Sequence, residues 1–126
     1  PSGTGVTALY LNRYCSFDVF TCNCVGKPSY LEKQFATLEP DHRLWPTILP
    51  PPKVFHYGKP YPELYHLWKK LKHAGVEFDL IYDPVGWVTL LHHQESIPKP
   101  ILYLHQGGIK GNVSMLERYR YKGIAP

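Results

Sequence analysis

Apolar positions recur at helical spacing in several separate stretches of the chain. Over Thr4–Tyr14 the spacing of Val6, Leu9, Tyr10 and Arg13 predicts a first helix. Gly26-Lys27-Pro28-Ser29 then breaks the chain, and Ser29 with Glu32 has the form of a capping box opening a helix from Tyr30 to Leu38. A third helix is predicted over Pro62–Ala74, with Leu64, Leu67, Trp68 and Leu71 on one face and Gly75 as its stop. Pro84 suits the first turn of a fourth, carrying Trp87, Val88, Leu90 and Leu91 and ending before Pro98-Lys99-Pro100. Asn112 caps a last helix running to about Tyr121. Between them lie stretches rich in strand formers: Phe17–Val25, Val76–Tyr82 and Ile101–His105, with a short candidate at Lys53–Tyr57. Five prolines make Glu39–Pro52 a loop.

Strands alternating with helices predict a three-layer α/β/α arrangement around a mostly parallel sheet, as a single α/β domain over residues 1–126. Ligands of such sheets collect beyond the carboxyl ends of the strands. Three segments are predicted to converge there: the opening Pro1-Ser2-Gly3-Thr4-Gly5 loop, Tyr82-Asp83-Pro84, and His105-Gln106-Gly107-Gly108. The glycines of the first let backbone N–H groups turn inward at a helix start, a cradle for an anionic phosphate. The other reading of that loop is a flexible terminus capped by Ser or Thr. No Gly-Lys-Ser/Thr follows, so it is not a P-loop.

Charge changes the picture little. A formal charge of +4 is divided between Lys69, Lys70 and Lys72 and Arg118, Arg120 and Lys122, two wet helix faces that do not make the broad patch nucleic acid requires. The odd count of three cysteines, Cys15, Cys22 and Cys24, fits buried thiols in a reducing compartment better than a disulfide scaffold. With no apolar run of transmembrane length, the expectation is a cytoplasmic protein that binds neither nucleic acid nor membrane. On that reading the Asn112-Val113-Ser114 glycosylation motif is coincidental.

Pro1-Ser2-Gly3-Thr4-Gly5, Asp79 with Tyr82, and Leu102-Tyr103-Leu104-His105-Gln106-Gly107-Gly108 resemble the C-terminal half of pyridoxal-phosphate enzymes, in the same order along nearly the whole chain. The group resembled is D-cysteine desulfhydrase and 1-aminocyclopropane-1-carboxylate deaminase. The resemblance implies part of a fold-type II, tryptophan-synthase-β-like enzyme. It implies pyridoxal 5'-phosphate as cofactor, its phosphate held by Gly3, Thr4, Gly5, Val6 and Thr7, with Gln106 reaching the pyridine edge. It implies Tyr82 and Tyr103 as active-site phenols, though Tyr82 could instead pack at a sheet edge and Tyr103 in the core. Asp79-Leu80-Ile81-Tyr82 departs from the family's Asp-Pro-Val-Tyr at two positions, which leaves the substrate open. The implied reaction is a lyase or deaminase step releasing ammonia and an α-keto acid from a small amino acid. No lysine here matches the family's Schiff-base lysine. The expectation is therefore a fragment, inactive alone, whose N-terminal half and a homodimeric mate are its partners. A nonenzymatic phosphate- or nucleotide-binding module and a degenerate structural subunit are the other readings.

Overall fold

All five helical stretches fold as helices in a computed structural model that describes residues 1–126. They are α1 (Val6–Tyr14), α2 (Pro28–Leu38), α3 (Pro62–His73), α4 (Asp83–His93) and α5 (Asn112–Tyr121). Prolines in the first turn set three of the starts, because the ring fixes a helical φ where an N–H has no partner to lose. At α2 this overrides the expected cap. Pro28 opens the helix behind Lys27, Ser29 falls inside it, and no capping box forms. α3 stops as expected: Gly75 takes φ 104°, and the Val76 N–H folds back to the Leu71 carbonyl at 3.3 Å.

The strands are where expectation and structure part. The sheet has two strands, β1 (Phe20–Thr21) and β2 (Thr47–Ile48), paired in parallel, with one more parallel bridge between Ser2 and Asn23. β2 forms inside the proline-rich stretch read as loop. Lys53–Tyr57, Val76–Tyr82 and Ile101–His105 enter no ladder. The protein is predominantly helical with a minimal open sheet, not a three-layer α/β/α sandwich. The tryptophan-synthase-β-like, fold-type II architecture implied by the resemblance is absent, and the resemblance is corrected with it.

The physical reason is visible at residues 78–80. Trp68 Nε1 and Asn112 Nδ2 both donate to the Phe78 carbonyl, at 2.8 and 2.9 Å. The Leu80 N–H donates to Asn112 Oδ1 at 2.7 Å, and the Asp79 N–H to Asp83 Oδ2 at 3.3 Å. Side chains occupy positions a neighbouring strand would use, so the Phe78 carbonyl and the Asp79 and Leu80 N–H groups are satisfied without a sheet. Asn112 is buried here and does not cap α5, which starts behind Gly111.

Three apolar clusters hold the helices. Tyr65, Trp68, Phe78, Leu80, Met115 and Tyr119 join α3 and α5 to the 78–80 segment. Cys22, Cys24, Phe55, Leu64 and Val85 fill the space beside β1. Leu9, Leu31 and Phe35 join α1 to α2. That last contact is close enough to require Gly5: its φ of 79° and a Cβ only 2.6 Å from Phe35 Cε1 exclude a larger residue.

Asn112→Ala removes two buried hydrogen bonds and leaves the Leu80 N–H without an acceptor. Its expected cost is about 2–4 kcal/mol in urea denaturation. Ser114→Ala, on the wet side of the same helix, should change stability by about 0.5 kcal/mol or less. Equal, small effects would remove Asn112 from the role given to it.

Candidate functional site

Two buried carboxylates four residues apart organise the most polar part of the interior. Asp79 and Asp83 are 4% and 1% exposed. Asp79 Oδ1 accepts from the N–H groups of Ile81 and Tyr82 at 2.8 and 2.7 Å, and Oδ2 from the Asp83 N–H at 3.1 Å. It thus serves the backbone donors at the entrance to α4 that have no helical partner. Gly107 lies against it so closely that any Cβ there would collide with the Asp79 carboxylate.

Asp83 turns its carboxylate toward the segment after Pro100. The Tyr103 hydroxyl donates to Oδ1 at 2.8 Å, and His105 Nδ1–H donates to Oδ2 at 2.7 Å. Residues two apart on an extended chain share a face, so one carboxylate grips both. Aromatic rings complete the seat. Trp87 stacks on Tyr103 at 4.6 Å, and Phe78 meets the edges of Tyr103 and His105 at 5.7 and 4.7 Å. The intervening residues point outward: Leu102 is 85% exposed and Leu104 48%.

Burial pushes the Asp83 carboxyl above its ordinary range, and the adjacent Asp79 adds to the push; the Tyr103 hydroxyl and His105 pull it partly back. Burial, then the Asp83 charge, drives the Tyr103 phenol far up. Tyr82 is pushed up to about 12, first by its hydrogen bond to Tyr57 and then by burial. Both phenols stay protonated at neutral pH and serve as donors. The Tyr103 hydroxyl donates its hydrogen bond to Asp83, and the Tyr82 hydroxyl lies 3.3 Å from that of Tyr57.

The residues read from sequence as a phosphate cup are only partly brought together. A Cβ on Gly3 would stand 3.5 Å from the Tyr82 hydroxyl, so the opening loop does reach Tyr82. Thr4, Val6 and Thr7 face solvent, Gly5 is buried against Phe35, and Gln106 is exposed without a hydrogen-bond partner. The enclosed cavity adjoining Tyr57 and Ile81, about 10 Å³ or room for about one water molecule, is lined by none of these residues. No sheet carries the loops to a common ligand site. These residues do not fit pyridoxal 5'-phosphate, and the lyase, deaminase and desulfhydrase activities inferred with that cofactor fall with it. No group of three or more His, Cys, Asp or Glu side chains is placed to hold a metal ion.

Cys22 and Cys24 enter the same buried cluster as free thiols. Hydrogen bonding from Cys24 lowers the Cys22 thiol to about 7 and raises its own well above the ordinary value. The Asn112 amide of the glycosylation motif is buried and donates to Phe78, so the folded chain does not present it. No helix is long and apolar enough to cross a membrane.

The sequence reading missed Asp83 as the centre of this arrangement. The usable signal was two carboxylates spaced Asp79-x-x-x-Asp83 immediately before Pro84, a helix entrance that side-chain acceptors must serve. The chain matches no protein-family model and no curated protein.

A carboxyl whose pKa is raised by folding contributes stability at pH values below its unfolded value, near 3.8, and loses it as pH rises through the folded value. Relative to Asp83→Asn, which does not titrate, the wild type should therefore lose stability as pH rises from about 4. Denaturation midpoints of both proteins across that range check the sign. A difference that stays flat or grows with pH would contradict it.

Proposed function

We propose that this protein is a polypeptide-binding module that works through the surface carried by residues 101–109. One observation carries the reading. Ile101, Leu102, Leu104 and Ile109 are 39, 85, 48 and 49% exposed, while Tyr103 and His105 between them are fixed to Asp83. Four large apolar side chains within nine residues, held on a rigid backing, form a presented surface rather than a scatter of single exposed residues. The internal cavities point the same way. The cavity beside Tyr57 takes about one water, and the groove of about 480 Å³ along α5 is open and walled mostly by polar side chains such as Ser114, Glu117, Arg118 and Lys122. Small-molecule sites are concave, mainly apolar and far roomier than one water; the first space is apolar but too small, and the second is open and polar.

Three free thiols support a cytoplasmic setting, where reducing conditions keep them so.

Comparative affinity capture tests the reading. The bait proteins are the wild type, Leu102→Ser with Leu104→Ser, and Tyr121→Ser as a control at a separate site that is 88% exposed. The expected result is a set of bound proteins lost with the double variant and kept with the control. An identical set on all three baits would overturn the proposal.

A further inference from the structure

Residues 101–106 satisfy none of their backbone groups within the chain. From Ile101 to Gln106 no backbone N–H donates and no carbonyl accepts, to either backbone or side chain. Residues 101–108 also contain no helix, turn or bend. The segment is bounded sharply, by Pro98 and Pro100 before it and Gly107-Gly108 after it. It alternates as a strand does, with Tyr103 and His105 on the Asp83 side and Leu102 and Leu104 on the other. It has the alternation of a strand and no neighbouring strand.

We infer that this segment binds its partner by strand addition: an extended peptide pairs with one edge of residues 101–106 and lays alternate apolar side chains beside Leu102 and Leu104. The inference rests on the binding surface proposed above and names the form of its occupant. Edge strands in folded proteins are ordinarily blunted by central charges, bulges or covering loops. None of these interrupts Ile101–Gln106, whose side chains include no Lys, Arg, Asp or Glu. Charge specifies the partner further. Lys99 and Lys110 flank the segment, and no carboxylate occurs from Ser96 through Leu116. The complementary peptide is apolar at alternate positions and acidic at its ends.

Preorganisation favours this mode of binding. Both oxygens of the buried Asp83 hold the inward face, so little ordering of residues 101–106 is left for the binding step. Six residues span about 20 Å, enough for three hydrogen-bonding positions on one edge.

The probe is a nine-residue peptide, Glu-Val-Thr-Val-Thr-Val-Thr-Val-Glu, with two companions. In each companion three alternate amides are N-methylated, on one edge or on the other. Amide-resolved hydrogen exchange by NMR reads the protein's side. The expected pattern is protection of alternate amides only, either Leu102, Leu104 and Gln106 or Ile101, Tyr103 and His105. One methylated companion should bind about tenfold or more weakly and the other about as well as the parent. Lys99→Glu with Lys110→Glu should weaken the acidic peptide and favour one ending in lysines. Because both lysines are exposed, this variant leaves the core intact and serves where a change within the segment disturbs it.

Peptide binding with no alternate protection and equal affinity for all three peptides would overturn strand addition. The surface reading would still stand if affinity capture depended on Leu102 and Leu104. No peptide binding, together with capture that ignores the double variant, would remove both. Sedimentation showing a dimer that Leu104→Pro dissociates would also overturn the choice of occupant, making it a second copy of this chain.

Discussion

A carboxylate removed from water must be given hydrogen bonds or a proton, and Asp83 receives its bonds from three places. The Asp79 N–H, the Tyr103 hydroxyl and His105 Nδ1–H all converge on its two oxygens. One comes from the segment before α4, and two from alternate residues of the segment after Pro100. Asp79 answers by accepting the Asp83 N–H. The demand of one buried acid therefore fixes the entrance to α4 and a length of chain that has no secondary structure of its own. An apolar residue at position 83 would relieve the desolvation but leave that segment unanchored. Breaking a buried polar set by removing one member is costly because the others lose their partners.

Asn112 provides the matching constraint from α5. Its amide bonds the Phe78 carbonyl and the Leu80 N–H as a paired strand would, and Trp68 from α3 takes the same carbonyl. The 78–80 segment is thus enclosed by side chains from two helices and from the head of a third. This explains how strand-forming residues such as Phe78 and Leu80 settle beside helices without making a sheet. β-propensity reports a side chain suited to a pleated, half-buried surface, and that surface need not be a ladder.

The helices were legible because their signals are local. The apolar stripe of Leu64, Leu67, Trp68 and Leu71, the prolines at 62 and 84 and the glycine at 75 each act within a few residues. The sheet was not legible, because a strand exists only through a neighbour that local pattern cannot supply. Ile101–His105 has the composition of a strand and lacks the neighbour, whereas Thr47–Ile48 gains one despite the prolines around it. The site divides in the same way. Tyr103 and His105 drew attention as residues of a distinctive segment, but the acid that holds them lies 20 and 22 residues earlier. Tyr82 and the Gly3 loop do meet, yet no sheet carries Tyr103 and Gln106 to join them in the cofactor site that the resemblance implied. A string of matching residues carried an architecture with it in the reading, and the architecture does not form here.

What remains is a segment anchored on alternate side chains without being paired. A chain free in water does not hold six residues extended, because fixing each backbone residue costs about 1–2 kcal/mol of conformational entropy. Here the cost is met by groups that touch only alternate side chains: Asp83 through hydrogen bonds, and Phe78 and Trp87 through ring contacts. Anchoring by side chains has a consequence that anchoring by a ladder lacks. It leaves the backbone donors and acceptors of residues 101–106 unused while removing the disorder that would otherwise oppose their use. A ladder partner meeting this segment gains its hydrogen bonds with most of the ordering already done. That combination, fixed side chains beneath an unspent backbone, separates a presented strand from an ordinary exposed loop.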